Sequence, residues 1–155
     1  MKATAEDMRH YVAEWLFTDL VDSPAECIRV HGSTVNRPIE IKFSDLDHIQ
    51  IYVDRALSDP RFVATYGERS IRVVQNNRLK SRAYYQAGTI NLPARGWAWR
   101  ESVVLHEIAH NLACVPGHGA RFTACFLQLV DWFMGPEAAF ILYGFIHQQQ
   151  KKESA

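Results

Sequence analysis

An α+β fold is what this sequence predicts: a small three- to four-stranded sheet packed on one central helix, with further helices before and after it. Three observations lead there. Apolar residues recur at helical spacing towards both ends of the chain. Short runs rich in β-branched and aromatic residues, bounded by Asn-Asn, Gly and Pro, fill the middle. Residues 97–115 contain neither Pro nor Gly, so a helix can run through them without a break.

Residues 3–21 place Met8, Tyr11, Val12, Trp15, Leu16 and Leu20 at helical intervals and predict an amphipathic first helix with those side chains inward. Asp22-Ser23-Pro24 ends it. Residues 26–32 suit a short strand, and residues 38–42 (Pro-Ile-Glu-Ile-Lys) alternate like one. Ser44-Asp-Leu-Asp47 reads as a helix N-cap with acids in the first turn, and the helix continues to Asp59-Pro60. Residues 70–74, 82–86 and 88–92 read as three strands, with Asn76-Asn77 turning between the first two and Pro93 closing the third. The helix over 97–115 follows, broken by Val115-Pro116-Gly117. Another restarts near Gly119 and runs to Phe133. After Gly135-Pro136 a last apolar helix spans 137–148, with 148–155 expected as a frayed tail.

A chain of 155 residues with 48% hydrophobic content suits one domain over 1–155 with a buried core. No run approaches about 20 apolar residues, so no membrane span is expected. The first ten residues lack an apolar core, so no secretory signal is expected either. Three cysteines (Cys27, Cys114, Cys125) form no Cys-x-x-Cys pair and point to a reducing cytoplasm. Net charge is zero, but residues 61–100 hold eight basic side chains and one acidic. That block (Arg61, Arg69, Arg72, Arg78, Lys80, Arg82, Arg95, Arg100), interleaved with Tyr84, Tyr85, Trp97 and Trp99, suits phosphate or an acidic peptide if it forms one face. Equally, these cations can balance the acidic first sixty residues across the fold.

The chemistry is concentrated in His106-Glu107-Ile-Ala-His110. Spacing i, i+4 puts both imidazoles on one helix face, close enough to share a metal ion. Glu107 lies about 100° round the helix from His106, beside the metal and not on it. A carboxylate there can serve as general base, which is the logic of the zinc metallopeptidase motif. A catalytic zinc usually takes three protein ligands and a water. His118, in Gly117-His118-Gly119, is the expected third ligand, since Pro116 and Gly117 stop the helix and let the chain turn back. Glu137 and, more weakly, Asp131 are rivals, and Cys114 lies on the His110 face. The metzincin spacing fails, because Ala113 and Pro116 stand where it needs Gly and His.

His-Glu-x-x-His followed by Gly-His-Gly-Ala-Arg-Phe resembles the core of the SprT-like (Spartan-type) zinc metallopeptidases, over roughly residues 88–125. The chain also looks like a small family of bacterial metallohydrolases of similar length. The SprT resemblance implies His106, His110 and His118 as ligands of one Zn2+ per chain, Glu107 as the base, and a zincin-like fold. The chain departs from that family in a shorter segment between His110 and His118 and in carrying no cysteine zinc ribbon.

Two functions follow as expectations. One is a zinc-dependent metallopeptidase acting on a peptide or protein, in which Glu107 moves the proton and Tyr84, Tyr85, Tyr143 or Arg121 stabilises the oxyanion. The strand before the metal helix (88–92), with Asn91, would border the cleft and pair with an extended peptide by strand addition. The other is a non-catalytic zinc-stabilised binding module, its site closed by Cys114 or Glu137, meeting nucleic acid or an acidic partner through residues 61–100.

Overall fold

The computed structural model describes residues 3–154, apart from Ser81 and Arg95 and the side chains of Glu153 and Ser154. Arg95 of the basic block, and Met1, Lys2 and Ala155 at the termini, lie outside the described residues. The element order is α1 (Ala5–Val21), β1 (Cys27–Val30), β2 (Ser33–Asn36), α2 (Leu46–Ser58), α3 (Pro60–Tyr66), β3 (Arg72–Gln75), β4 (Tyr84–Gln86), β5 (Thr89–Leu92), α4 (Glu101–Ala113), α5 (Ala120–Met134) and α6 (Pro136–Ser154). Among the described residues this is a small α+β fold with two sheets. The chain forms two compact units, one of Met1–Ile39 with Val115–Ala155 and one of Glu40–Cys114.

In the first unit α6 packs against α1 and α5. A reciprocal capping box starts α1: Thr4 Oγ1 accepts from Asp7 N at 3.1 Å, and Thr4 N donates to Asp7 Oδ2 at 2.9 Å. The buried stripe of α1 is His10, Ala13, Phe17, Thr18 and Val21. This corrects the face expected from the sequence, because Met8, Tyr11 and Trp15 are about half exposed. The stripe that fits against the neighbouring helices is built on Phe17 with His10, Ala13, Thr18 and Val21, and the larger aromatics Tyr11 and Trp15 lie off it. The hairpin also differs from expectation. His31 and Gly32 both take positive φ (52° and 78°), the geometry of a tight two-residue turn, so β2 pairs at once from Ser33. Residues 38–41 are left outside any strand, and Pro38 has no N–H to offer a ladder. The hairpin tip docks on α6: His31 Nε2 lies 2.9 Å from the Ile141 carbonyl, and Gly144 leaves room for the ring. Helix α6 itself continues to Ser154, into the segment expected as a tail, of which Ala155 lies outside the described residues.

In the second unit the sheet order is β3-β5-β4, with β3 parallel and β4 antiparallel to β5. Asp45 caps α2 as expected, its carboxylate accepting from Asp47 N at 2.7 Å. The Asp59-Pro60 stop is also a start. Asp59 caps the short α3, and Pro60 occupies its first turn, where a missing N–H costs nothing. Helix α2 packs on β3, and α4 on β4 and β5. Gln50 clamps the outer edge of β3, accepting from Val73 N at 2.7 Å and donating to Ile71 O at 2.9 Å. Strand β4 forms the other edge. The core between these elements includes Ile49, Val53, Phe62, Ile90, Leu92, Leu105, Ile108 and Leu112.

Candidate metal centre

Helix α4 carries His106, Glu107 and His110 and is held at both ends. Its N-terminal amides face the Glu40 carboxylate, which accepts from Ser102 N at 2.7 Å and from Arg100 Nε at 2.7 Å. Glu40 thus does for α4 what its own N-cap residue, Arg100, does not, with the sign that a helix N-terminus favours. Beside it, Glu101 accepts from Ile41 N and from the Tyr52 hydroxyl at 2.5 Å. Burial raises the Glu101 carboxyl above its ordinary value, against the hydrogen bond from Tyr52. Burial, then the Glu101 charge, pushes the Tyr52 phenol up as well.

At the other end Arg69 Nη1 donates to the Asn111 carbonyl at 3.3 Å and to its side-chain oxygen at 3.0 Å. Asn111 Nδ2 in turn donates to the Tyr85 hydroxyl at 2.8 Å, which also accepts from Gly88 N at 2.8 Å. The helix ends at Cys114 in the left-handed conformation (φ 58°), one residue before the expected break. Its thiol is exposed and donates to Asn111 O at 3.5 Å.

Between these clamps residues 101–109 are buried except His106, and His110 is the next position open to solvent. The two Nε2 atoms stand 3.2 Å apart, with the rings at 70° to each other. Two nitrogens bound about 2.0–2.1 Å from a tetrahedral zinc are about 3.3 Å apart, so the pair already spans two corners of such a site. Glu107 is buried at 4% exposure.

His118 belongs to the first unit. It sits in the turn before α5, between Gly117 (φ 88°) and Gly119, the N-cap of α5. Its Nδ1 lies 2.7 Å from Asp7 Oδ1. The ring stacks on the fully buried His10 at 5.4 Å and 27°, and meets Phe122 edge-on at 4.7 Å. His10 is itself bonded through Nε2 to Thr123 Oγ1 at 2.6 Å. The His118 hydrogen bond, with the Thr4 N–H, brings the Asp7 carboxyl from 3.8 down to about 2.

The other expected residues fall as follows. Glu137 and Asp131 are exposed, at the start of α6 and near the end of α5. Of the four oxyanion candidates, Tyr85 is tied by hydrogen bond to α4 beside His110. Tyr84 and Arg121 are exposed, and Tyr143, 57% exposed, stacks on His147. Asn91 lies on β5, its amide donating to Thr89 O at 3.4 Å. Within the second unit Arg61 is engaged with Asp59, Arg69 with Asn111, and Arg100 with Glu40. Arg72, Arg78, Lys80 and Arg82 are exposed. Sequence reasoning missed Asp7, His10 and Glu40. Thr4-x-x-Asp7 is a capping pattern that places Asp7 in the first turn of α1, but nothing local ties Asp7 to a residue 111 positions away. Compared with protein-family models, with curated proteins and with solved structures, the chain shows no significant match to any.

Proposed function

We propose that the protein is a zinc-dependent metallopeptidase of zincin-like type, holding one Zn2+ per chain on His106, His110 and His118 and using Glu107 as general base. The observation that carries this reading is the 3.2 Å spacing of the His106 and His110 Nε2 atoms on the open face of an otherwise buried helix. Three neutral imidazoles are a donor set that suits zinc, and a carboxylate engaging the far nitrogen of a ligand histidine is the usual way such a ring is oriented. The likeness of residues 88–125 to the SprT-like core supports the same set. Zinc held there would polarise a carbonyl and acidify water. Glu107, one step round the helix from His106, takes a proton at its carboxylate and returns it to the leaving amine. Strand β5, the strand just before α4 that the sequence offered for strand addition, is paired on both sides by β3 and β4 and has no open edge. Strand β4, an edge strand packed against α4, offers its backbone to an extended peptide or protein substrate instead. The exposed Arg72, Arg78, Lys80 and Arg82 suit acidic stretches of that substrate, or nucleic acid held beside it. Three free thiols suit a reducing, cytoplasmic setting.

The test is elemental analysis together with peptide turnover. The wild type should carry one zinc. His118→Ala should lose it, and Glu107→Gln should keep it while turnover falls by about 10²–10⁴-fold. Full turnover in Glu107→Gln would remove the base. Full zinc occupancy without His118 would move the third ligand to Glu137, Asp131 or Cys114. A wild type that takes up no supplied zinc would end the reading. Unfolding, not mere inactivation, on metal removal would favour the non-catalytic zinc module.

A further inference from the structure

We propose that Asp7, on the first helix, is the positioning residue of His118: it holds the imidazole with its proton on Nδ1, so that Nε2 carries the lone pair a metal needs. The proposal rests on the reading of His118 as a zinc ligand, and every group it uses belongs to the first unit. A neutral imidazole has one N–H and one bare nitrogen, and the hydrogen bond at one nitrogen decides which is which. A carboxylate only accepts, so the 2.7 Å contact between His118 Nδ1 and Asp7 Oδ1 puts the proton on Nδ1.

The ring has little freedom to turn away. Buried His10 covers one face and the Phe122 edge abuts it. His10 is fixed by Thr123 at 2.6 Å, and its Nδ1 lies 3.7 Å from Glu14. Asp7 is equally fixed. Its second oxygen accepts from Thr4 N, so the capping box that starts α1 also aims the carboxylate. Gly117, just before His118, takes a positive φ of 88°, a backbone conformation that glycine adopts without strain. One carboxylate therefore does two jobs, closing a helix end and orienting a ligand.

The first measurement is the His118 tautomer in metal-free wild type, from long-range ¹H–¹⁵N correlations at pH 8. The expected state has the proton on Nδ1. A proton on Nε2 overturns the proposal with no variant needed. The second is zinc affinity, by titration against a chromophoric chelator, for wild type, Asp7→Ala, Thr4→Ala and His118→Ala. Thr4→Ala removes its half of the capping box without touching His118, so it reports the structural role alone. Expected are a 10–100-fold loss of affinity in Asp7→Ala and none in Thr4→Ala. Equal losses in both, or wild-type affinity in Asp7→Ala while His118→Ala loses zinc, overturn the role of Asp7 and leave the three-histidine reading standing. Unchanged affinity in His118→Ala overturns that reading and this proposal with it.

Discussion

A single glycine sets how the β1–β2 hairpin meets α6. At Gly144 the His31 imidazole lies so close to the helix backbone that a Cβ would overlap the ring. The same ring bonds the Ile141 carbonyl and meets Phe140 and Phe145 edge-on at 5.7 and 4.7 Å. Glycine normally weakens a helix interior by roughly 1 kcal/mol relative to alanine. Here the missing methyl makes space, so Gly144→Ala should destabilise by about 1–3 kcal/mol despite its better propensity. Adding His31→Gly should recover most of that loss, because glycine accepts the positive φ at 31 and removes the ring. Urea unfolding of both variants checks this. A more stable Gly144→Ala would show that the ring is easily displaced. At the proposed zinc site the His118–Asp7 pair would make the same point, since the chemistry of a ligand histidine depends on the group opposite its second nitrogen as well as on the ring itself.

At the scale of elements, α4 is held by polar groups at its ends and apolar burial along its length. Arg100 and Glu40 are both nearly inaccessible, and each would be a buried, uncompensated charge without the other. Next to them Glu101 has a testable pH signature. Its carboxyl is raised by burial, so the folded state holds that proton more tightly than the unfolded chain does. The stability linked to it is fully present below the ordinary value of 4.5 and is lost as pH rises through the folded value. Glu101→Gln cannot lose a proton there. In metal-free protein, native stability relative to Glu101→Gln should therefore decline as pH rises from 4.5 towards neutrality, measured by urea midpoints. A native advantage that grows with pH would mean that the Tyr52 and Ile41 hydrogen bonds outweigh burial.

For the whole molecule, the order of the chain matters. The second unit is one continuous stretch, Glu40–Cys114, set between the two stretches that make the first. The proposed zinc adds a term to the stability of the entire chain. A ligand that binds only the folded form stabilises it by about 2.7 kcal/mol at a free concentration one hundred times its dissociation constant. Zinc should therefore raise the thermal midpoint, chelator should lower it, and His118→Ala should abolish both shifts. A zinc shift that persists in His118→Ala would place the metal elsewhere. No helix among the described residues is long and apolar enough to cross a membrane.

Much of this was written into local sequence. The i, i+4 histidines identify a metal-competent helix face because helical geometry alone brings them together. Asp45, Asp59-Pro60, Gly119 and Gly135 mark element ends through backbone chemistry that acts within a few residues. Tertiary structure decided the rest, because burial and long-range hydrogen bonds depend on which surfaces meet. It chose the Phe17 face of α1 over the Trp15 face and closed the hairpin at His31-Gly32, ahead of residues 38–42. It spent Arg61, Arg69 and Arg100 on internal partners. It also set Asp7 against His118 and Glu40 against the start of α4, pairs separated by 111 and 62 positions, which no local pattern in the chain encodes.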